Sequence, residues 1–187
     1  MPENKLSNWI FGKAENGSAP IILLRLMAGG VFLWEGVLKF VYPNLGIGRF
    51  AKLGIPLPDI MAPFVAILEI VGGICLISGY LTRIFSILFV IEMTVAILST
   101  KIPMLMGTYP LALAPSPPQS GIGLVLHEIR SDYAQIMTAI FLLIMGPGRL
   151  SLDAMIAKSV RQRSNPANIS QSISIPVKER VSQGGRP

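Results

Sequence analysis

The sequence predicts an all-α integral membrane protein, a four-helix bundle with a polar interior. The chain of 187 residues is 51% hydrophobic and only 14% charged, and its mean hydropathy is +0.59. Soluble domains carry about a quarter charged residues. Four apolar stretches approach the roughly 20 residues that a helix needs to cross a bilayer, and each has acidic or basic residues on one of its faces.

The predicted spans cover residues 20–42, 60–81, 83–100 and 127–145. The fourth is strongly apolar only from Tyr133 onward, so we expect the other helices to shelter its first half. The short segment "GYLTR" makes the second and third spans antiparallel neighbours. Five prolines between residues 103 and 123 exclude a continuous helix there.

The chain divides into a segment at 1–19, a four-span domain at 20–153 and a basic tail at 154–187. Basic residues near the span ends are more numerous on the side that holds both termini, so the positive-inside rule predicts cytoplasmic termini. The first span is too long for the apolar region of a signal peptide and should stay as an anchor. The polar composition from Ser164 onward predicts disorder in the tail.

Each span has one face where small and polar residues coincide when the helix is projected at about 100° per residue. Small residues let helices approach closely, so these faces predict a polar interior. Glu69 and Glu92 lie near the middle of adjacent antiparallel spans, which predicts a similar depth. The candidate interior residues are Arg25, Glu35, Lys39, Glu69, Glu92, Glu128, Asp132 and Gln135.

Glu35 and Lys39 have the i,i+4 spacing of a helical ion pair. We expect them to pair and to line the outer half of a cavity that continues to Glu69. An ionised carboxylate in the membrane costs several kcal/mol or more unless it is paired or protonated. Two interpretations remain open for the intramembrane carboxylates, a structural role that fixes helix register and a functional one.

The composition argues against several kinds of cofactor and partner. Cys75 is the single cysteine, so it has no CxxC partner and cannot complete a zinc site alone; no metal is predicted. The single histidine cannot provide paired haem ligands, and no flavin or iron–sulfur motif is visible. Although the net charge is +6, no aromatic-interleaved basic groove indicates nucleic acid. The lipid bilayer is the predicted partner.

Four segments resemble, in order, the DoxX family of small bacterial membrane proteins. They are "LRLMAGGVFLWEGVLKF", "GIPLPDIMAPFVAILEIVGGICLISGYLTR", "IEMTVAILSTKIP" and "GPGRLSLD", within about residues 21–156. The resemblance implies a four-helix protein of the bacterial inner membrane. It also implies an association with redox processes, because relatives are described as the membrane subunit of thiosulfate:quinone oxidoreductase or as partners of oxidative-stress enzymes.

The closing motif "GPGRLSLD" has a physical interpretation as well. Gly146 and Pro147 should end the fourth helix, and Ser151 can cap a short surface helix that reaches Ala157. We expect this motif at the cytoplasmic membrane surface, where it serves as a helix stop and an interfacial anchor. The residues of the predicted cytoplasmic interface are Arg83, Arg149, Ser151 and Asp153.

Two function classes follow. The first is an accessory or catalytic subunit of a membrane redox system, which handles a quinone or passes protons and electrons from a partner. Any electron donor must be another chain, since this chain shows no electron-carrying motif of its own. The second is a non-enzymatic scaffold or small-solute transporter. The residues do not decide whether the protein is an enzyme, which substrate it uses, or whether it forms a homo-oligomer. Copurification with a quinone or a redox enzyme separates the two classes.

The predicted topology can be tested with reporter fusions. A reporter after Lys52 should lie on the opposite side of the membrane from one after Arg161, because an odd number of spans separates these positions. The side is measured by paired reporters that are active only in the cytoplasm or only outside it. Two reporters on one side would contradict the four-span topology.

Overall fold

The computed structural model describes residues 18–113 and 121–163, with side chains as far as residue 159. Within these ranges the regular secondary structure is helical. The helices are α1 (Ile21–Val41), α2 (Ile47–Lys52), α3 (Pro58–Ser78), α4 (Thr82–Leu105), α5 (Gly121–Met145) and α6 (Leu152–Arg163). The segment 1–17 and the tail from residue 164, including its expected disorder, lie outside the described residues.

The four long helices confirm the predicted all-α membrane bundle. Helices α1, α3 and α4 are each long and apolar enough to cross a membrane. Helix α5 has 25 residues, but Glu128, Arg130 and Asp132 occupy its first half. Glu128 and Asp132 line an internal cavity, so the polar half of α5 contributes to the interior of the bundle.

The helix boundaries differ from the predicted ones at several ends. Helix α3 stops at Ser78 because Gly79 takes a left-handed conformation with φ of +73°. Helix α4 continues through Pro103 to Leu105, since a proline in the last turn removes only one hydrogen bond near an end. Helix α5 already begins at Gly121. Helix α6 covers the beginning of the segment that was predicted as tail, and α2 forms in the connection between the first two spans.

The long helices are arranged as two pairs. Helix α1 packs extensively on α3, and α4 packs extensively on α5, whereas contacts between α3 and α4 and between α1 and α5 are sparser. Helices α3 and α4 are the sequence neighbours joined by the tight turn, yet each makes its larger interface with another helix. The bundle therefore consists of two helix pairs with room between them.

Small residues bring the backbones of α1 and α3 together. A Cβ atom added at Gly29 would lie 2.7 Å from the carbonyl oxygen of Gly73, and one at Gly36 would lie 2.7 Å from that of Ala66. Both contacts repeat after seven residues in each helix, in opposite chain directions, so the helices are antiparallel and stay close over two turns. The small residues of the predicted polar faces therefore form the α1–α3 interface.

Two aromatic rings join the helix pairs at the centre of the bundle. Phe32 of α1 stacks on Phe89 of α4 with ring centroids 3.7 Å apart and an interplanar angle of 3°. Both rings are buried, together with Ala28, Leu76 and other members of the core. The stack lies between Arg25 and Lys39 along α1, so it separates two polar regions of the interior.

Two alanine substitutions, one where α1 and α3 are in close contact and one beside it, test this interface. Gly29→Ala should lower the free energy of unfolding by about 1–3 kcal/mol, because the new methyl group overlaps the backbone of α3. Gly30→Ala is the control, since a Cβ at Gly30 meets nothing within 4 Å; it should be neutral or stabilising by up to about 1 kcal/mol. Thermal unfolding in detergent measures both, and equal effects would contradict the interface.

Candidate functional site

A cavity of about 600 Å³ lies between the two helix pairs. It begins at Phe32 and extends away from Arg25 toward α2 and the beginning of α5. Apolar side chains from α1 to α4 form the rest of its wall. All the predicted interior residues except Arg25 line it, namely Glu35, Lys39, Glu69, Glu92, Glu128, Asp132 and Gln135.

An ion pair between α1 and α3 is the central polar contact of the cavity. The Lys39 Nζ donates to the Glu69 Oε2 at 2.5 Å, and the two side chains are only 13% and 3% exposed. Low exposure strengthens the attraction of the pair, and it also means that either charge alone would be costly. The pair therefore holds two charges inside the membrane-spanning region at a defined place.

The predicted pairing of Lys39 with Glu35 is wrong. Glu35 lines the cavity but is exposed, and the Lys39 ammonium turns to Glu69 instead. The reason lies in the packing at Gly36, where an added Cβ would be 3.0 Å from the Cβ of Glu69. Glu69 thus sits beside the helical turn from which Lys39 extends, and the buried carboxylate competes better than the exposed one.

Glu92 joins this pair from α4. Its carboxyl group lies next to that of Glu69, and two adjacent carboxyl groups can hydrogen-bond only when one of them carries a proton, because a carboxylate has no donor. The Oε2 of Glu92 and the Oε1 of Gln135 are buried without a hydrogen-bond partner among the described residues. Such atoms are rare in folded proteins, and both side chains line the cavity.

The end of the cavity near α2 is lined by further charged residues. Lys101 of α4 lies 3.1 Å from Asp132 of α5, and α2 adds Arg49. Neither Lys101 nor Arg49 is among the predicted interior residues. The sequence does contain a signal for the contact of Lys101 with Asp132. The two residues have opposite charges and lie at the same end of two consecutive antiparallel spans. Burial raises the pKa of the nearby Tyr109 phenol, and the charge of Arg49 opposes this shift.

Arg25 belongs to a second polar cluster on the other side of the Phe32–Phe89 stack. Its guanidinium, 1% exposed, donates to four backbone carbonyls. Nε reaches Leu76 at 2.9 Å and Nη2 reaches Ile77 at 2.7 Å. Nη1 reaches Pro147 at 2.9 Å and Leu150 at 2.6 Å. The side chain thus ties α1 to the end of α3 and to the connection between α5 and α6.

The predicted interface motif completes this cluster. Asp153, fully buried, accepts from the amides of Leu81 at 2.9 Å and Thr82 at 3.3 Å, at the beginning of α4. Burial raises the pKa of Asp153, while those two hydrogen bonds and the charge of Arg25 oppose the shift. Ser151 caps α6 through the Ala154 amide at 3.1 Å, as predicted.

The two basic residues of the predicted cytoplasmic interface differ in their surroundings. Arg83 is buried and its Nη2 donates to the carbonyl of Ile144 at 3.3 Å, which joins α4 to the end of α5. Arg149 is exposed. Among residues 18–113 and 121–163, no group of three or more His, Cys, Asp or Glu side chains is placed to hold a metal ion.

The apolar helices and the enclosed polar cavity define a helical membrane protein with an internal polar site. A DoxX family profile matches residues 21–102. The chain is 38% identical to "Uncharacterized membrane protein Rv3486" of Mycobacterium tuberculosis over 143 residues, 76% of this chain and 84% of the relative. This protein belongs to the DoxX family, as the four sequence motifs indicated.

A second relative carries a functional name. The chain is 29% identical over 137 residues to "Putative oxidoreductase CatD" of Bacillus subtilis, which is 73% of this chain and 87% of that protein. No solved structure matches the chain. The chain is therefore a membrane protein of the DoxX family.

A double-mutant cycle tests the observed pairing of Lys39. Lys39→Met and Glu69→Gln should each destabilise the protein, because each leaves a buried partner uncompensated, and the double variant should recover about 1–3 kcal/mol relative to additivity. The measurement is thermal unfolding in detergent. The matched control is the cycle of Lys39→Met with Glu35→Gln, which should be additive within about 0.5 kcal/mol. Stronger coupling to Glu35 would contradict the pairing.

Proposed function

We propose that the protein is a quinone-binding subunit of a membrane redox system and that the cavity between the helix pairs is the quinone site. The observation that carries this proposal is the arrangement of Lys39, Glu69 and Glu92 with unpartnered polar atoms in a cavity whose remaining wall is largely apolar. Ligand sites typically combine an apolar enclosure of this size with a few polar groups. The name of the Bacillus subtilis relative supports a redox role.

The residues present fit the head group of a quinone. A quinone carbonyl needs hydrogen-bond donors, and the amide of Gln135 and a protonated Glu92 can both provide one. Both side chains line the cavity. The Nε2 of Gln135 is its donor to a quinone carbonyl, whereas its Oε1, buried without a partner among the described residues, can accept from the hydroxyl of the reduced quinol. The Oε2 of Glu92, likewise without a partner there, donates when it is protonated. The flat ring fits against the apolar wall, with Phe32 at the closed end of the cavity.

The carboxyl groups supply the protons of the reaction. A quinone takes up two electrons and two protons when it is reduced. Glu92 and Glu69 share at least one proton when they are hydrogen-bonded, and Lys39 keeps a compensating positive charge beside them when a proton leaves. The polar residues from Gln135 through Asp132 toward the outer end of the cavity provide a route by which these protons are replaced.

The electrons come from a partner redox protein, since the sequence offers no electron-carrying motif of its own. The positive-inside rule favours cytoplasmic termini, and the bacterial relatives favour the inner membrane. With this orientation, the Arg25 cluster lies near the cytoplasmic surface and the cavity opens toward the outer half of the membrane. The four-span domain at 20–153 is then the redox subunit.

Quinone binding to the purified protein in lipid nanodiscs tests the proposal. Gln135→Leu should weaken binding of a benzoquinone or naphthoquinone by about tenfold, the equivalent of one lost hydrogen bond. Glu92→Gln should retain binding but slow quinone reduction in the presence of the redox partner. Binding constants from native mass spectrometry and the rate of quinol formation are the measurements.

The control is Thr138→Val, one turn along α5 from Gln135. Thr138 is buried, its hydroxyl donates to the carbonyl of Ala134 at 2.7 Å, and it does not line the cavity. This variant should bind quinone as tightly as the wild type does. A wild-type protein that binds no quinone, or a Gln135→Leu variant that binds it unchanged, would contradict the proposal and favour a scaffold or transporter.

A further inference from the structure

The gap between α3 and α4 opens the cavity sideways. Near the turn that joins them, the two helices touch, because a Cβ at Gly72 would meet the ring of Phe89 at 2.5 Å. Farther from the turn the cavity lies between them, with Phe64 and Leu68 of α3 on one side and Ile91 and Val95 of α4 on the other. The sparse contacts between α3 and α4 agree with this separation.

The apolar residues at this gap face outward as well as into the cavity. Phe64 is 58% exposed, Ile91 57% and Val95 54%, while all three line the cavity. Exposed residues that line the cavity on both of the facing helices indicate that the cavity reaches the outer surface here. The three residues belong to helices that are apolar enough to cross a membrane, so the surface they share is in contact with lipid.

Depth favours a membrane route over an aqueous one for an apolar group. Ile91 lies next to Glu92 in the middle part of α4, so the gap is at the level of the carboxyl groups. The end of the cavity near α2 is lined instead by charged side chains, among them Arg49, Lys101 and Asp132. A long hydrocarbon chain would have to displace or cross these charges there, at a cost that the apolar gap does not impose.

We propose that the gap lined by Phe64, Leu68, Ile91 and Val95 is a lateral portal that holds the hydrocarbon tail of a membrane-dissolved quinone, so that the substrate enters from the bilayer. This inference rests on the proposed function and adds the class of quinone, one with a long apolar tail. The head group then lies at Glu92 and Gln135, and the tail passes between α3 and α4 into lipid. Quinones without a tail lose this contact.

The test compares two substitutions on α4 with two ligands. Ile91→Trp fills the portal, whereas Leu98→Trp is the control, because Leu98 is 53% exposed on the same helix but does not line the cavity. The ligands are an isoprenoid benzoquinone and the same benzoquinone without its tail, titrated into the protein in nanodiscs. Ile91→Trp should weaken binding of the tailed quinone by about tenfold, which corresponds to the loss of roughly two methylene contacts. Its binding of the tailless quinone, and both affinities of Leu98→Trp, should stay within about twofold of wild type.

The outcomes separate the portal from the quinone site. If both quinones bind the wild type and Ile91→Trp weakens neither, or weakens both equally, the portal is wrong while the quinone site stands. If neither quinone binds, the proposed function is wrong, and the portal is judged by a photoreactive isoprenoid alcohol dissolved in the bilayer. Cross-links of this probe to Phe64 that disappear in Ile91→Trp but not in Leu98→Trp support a lateral opening for apolar tails; their absence from the wild type, or their persistence in Ile91→Trp, overturns it.

Discussion

The structure depends first on one buried guanidinium. Arg25 binds carbonyl oxygens at the end of α3 and in the connection after α5. A buried charge is costly unless its donors are satisfied, and these carbonyls lie where a helix end accumulates partial negative charge. The side chain therefore fixes three segments relative to one another. Asp153 attaches α4 to the same cluster through the amides of Leu81 and Thr82, and this contact supports Leu81 in its unfavourable conformation with φ of +49°.

Fixing the bundle at one end allows it to be open at the other. The Arg25 cluster and the Phe32–Phe89 stack hold the two helix pairs together on one side of the bundle. Beyond the stack, the cavity separates the two pairs, and the carboxyl groups of Glu69 and Glu92 face each other across it. A site that must admit and release a ligand needs such a loosely packed region, and it needs a rigid region to keep its polar groups in position.

The sequence was sufficient for the fold and for seven of the polar residues that line the cavity, but it missed Arg49 and Lys101 and did not predict which side chains pair. Small residues and carboxylates at helical spacing identify the inward face of each span, since both features are local to one helix. The choice of Glu69 over Glu35 by Lys39 depends on how closely Gly36 approaches α3, which is a property of two helices. The separation of Arg25 from the carboxylates also depends on two helices, because the intervening aromatic stack is formed by Phe32 of α1 and Phe89 of α4. The sequence of α1 alone therefore placed Arg25 in the same polar interior.

The charges in the cavity set what its carboxyl groups can do. Lys39 can compensate one negative charge, and its ammonium is committed to Glu69. Glu92 has no comparable partner of its own: its carboxyl meets that of Glu69, and its Oε2 is left without a hydrogen bond among the described residues. Two adjacent carboxylates with one lysine leave one negative charge that is cheaper to neutralise with a proton than to keep in an apolar region. This proton belongs on Glu92 and not on Glu69, because protonating Glu69 would leave the charge of Lys39 uncompensated. In the function proposed above, Glu92 is therefore the group that gives a proton to the quinone.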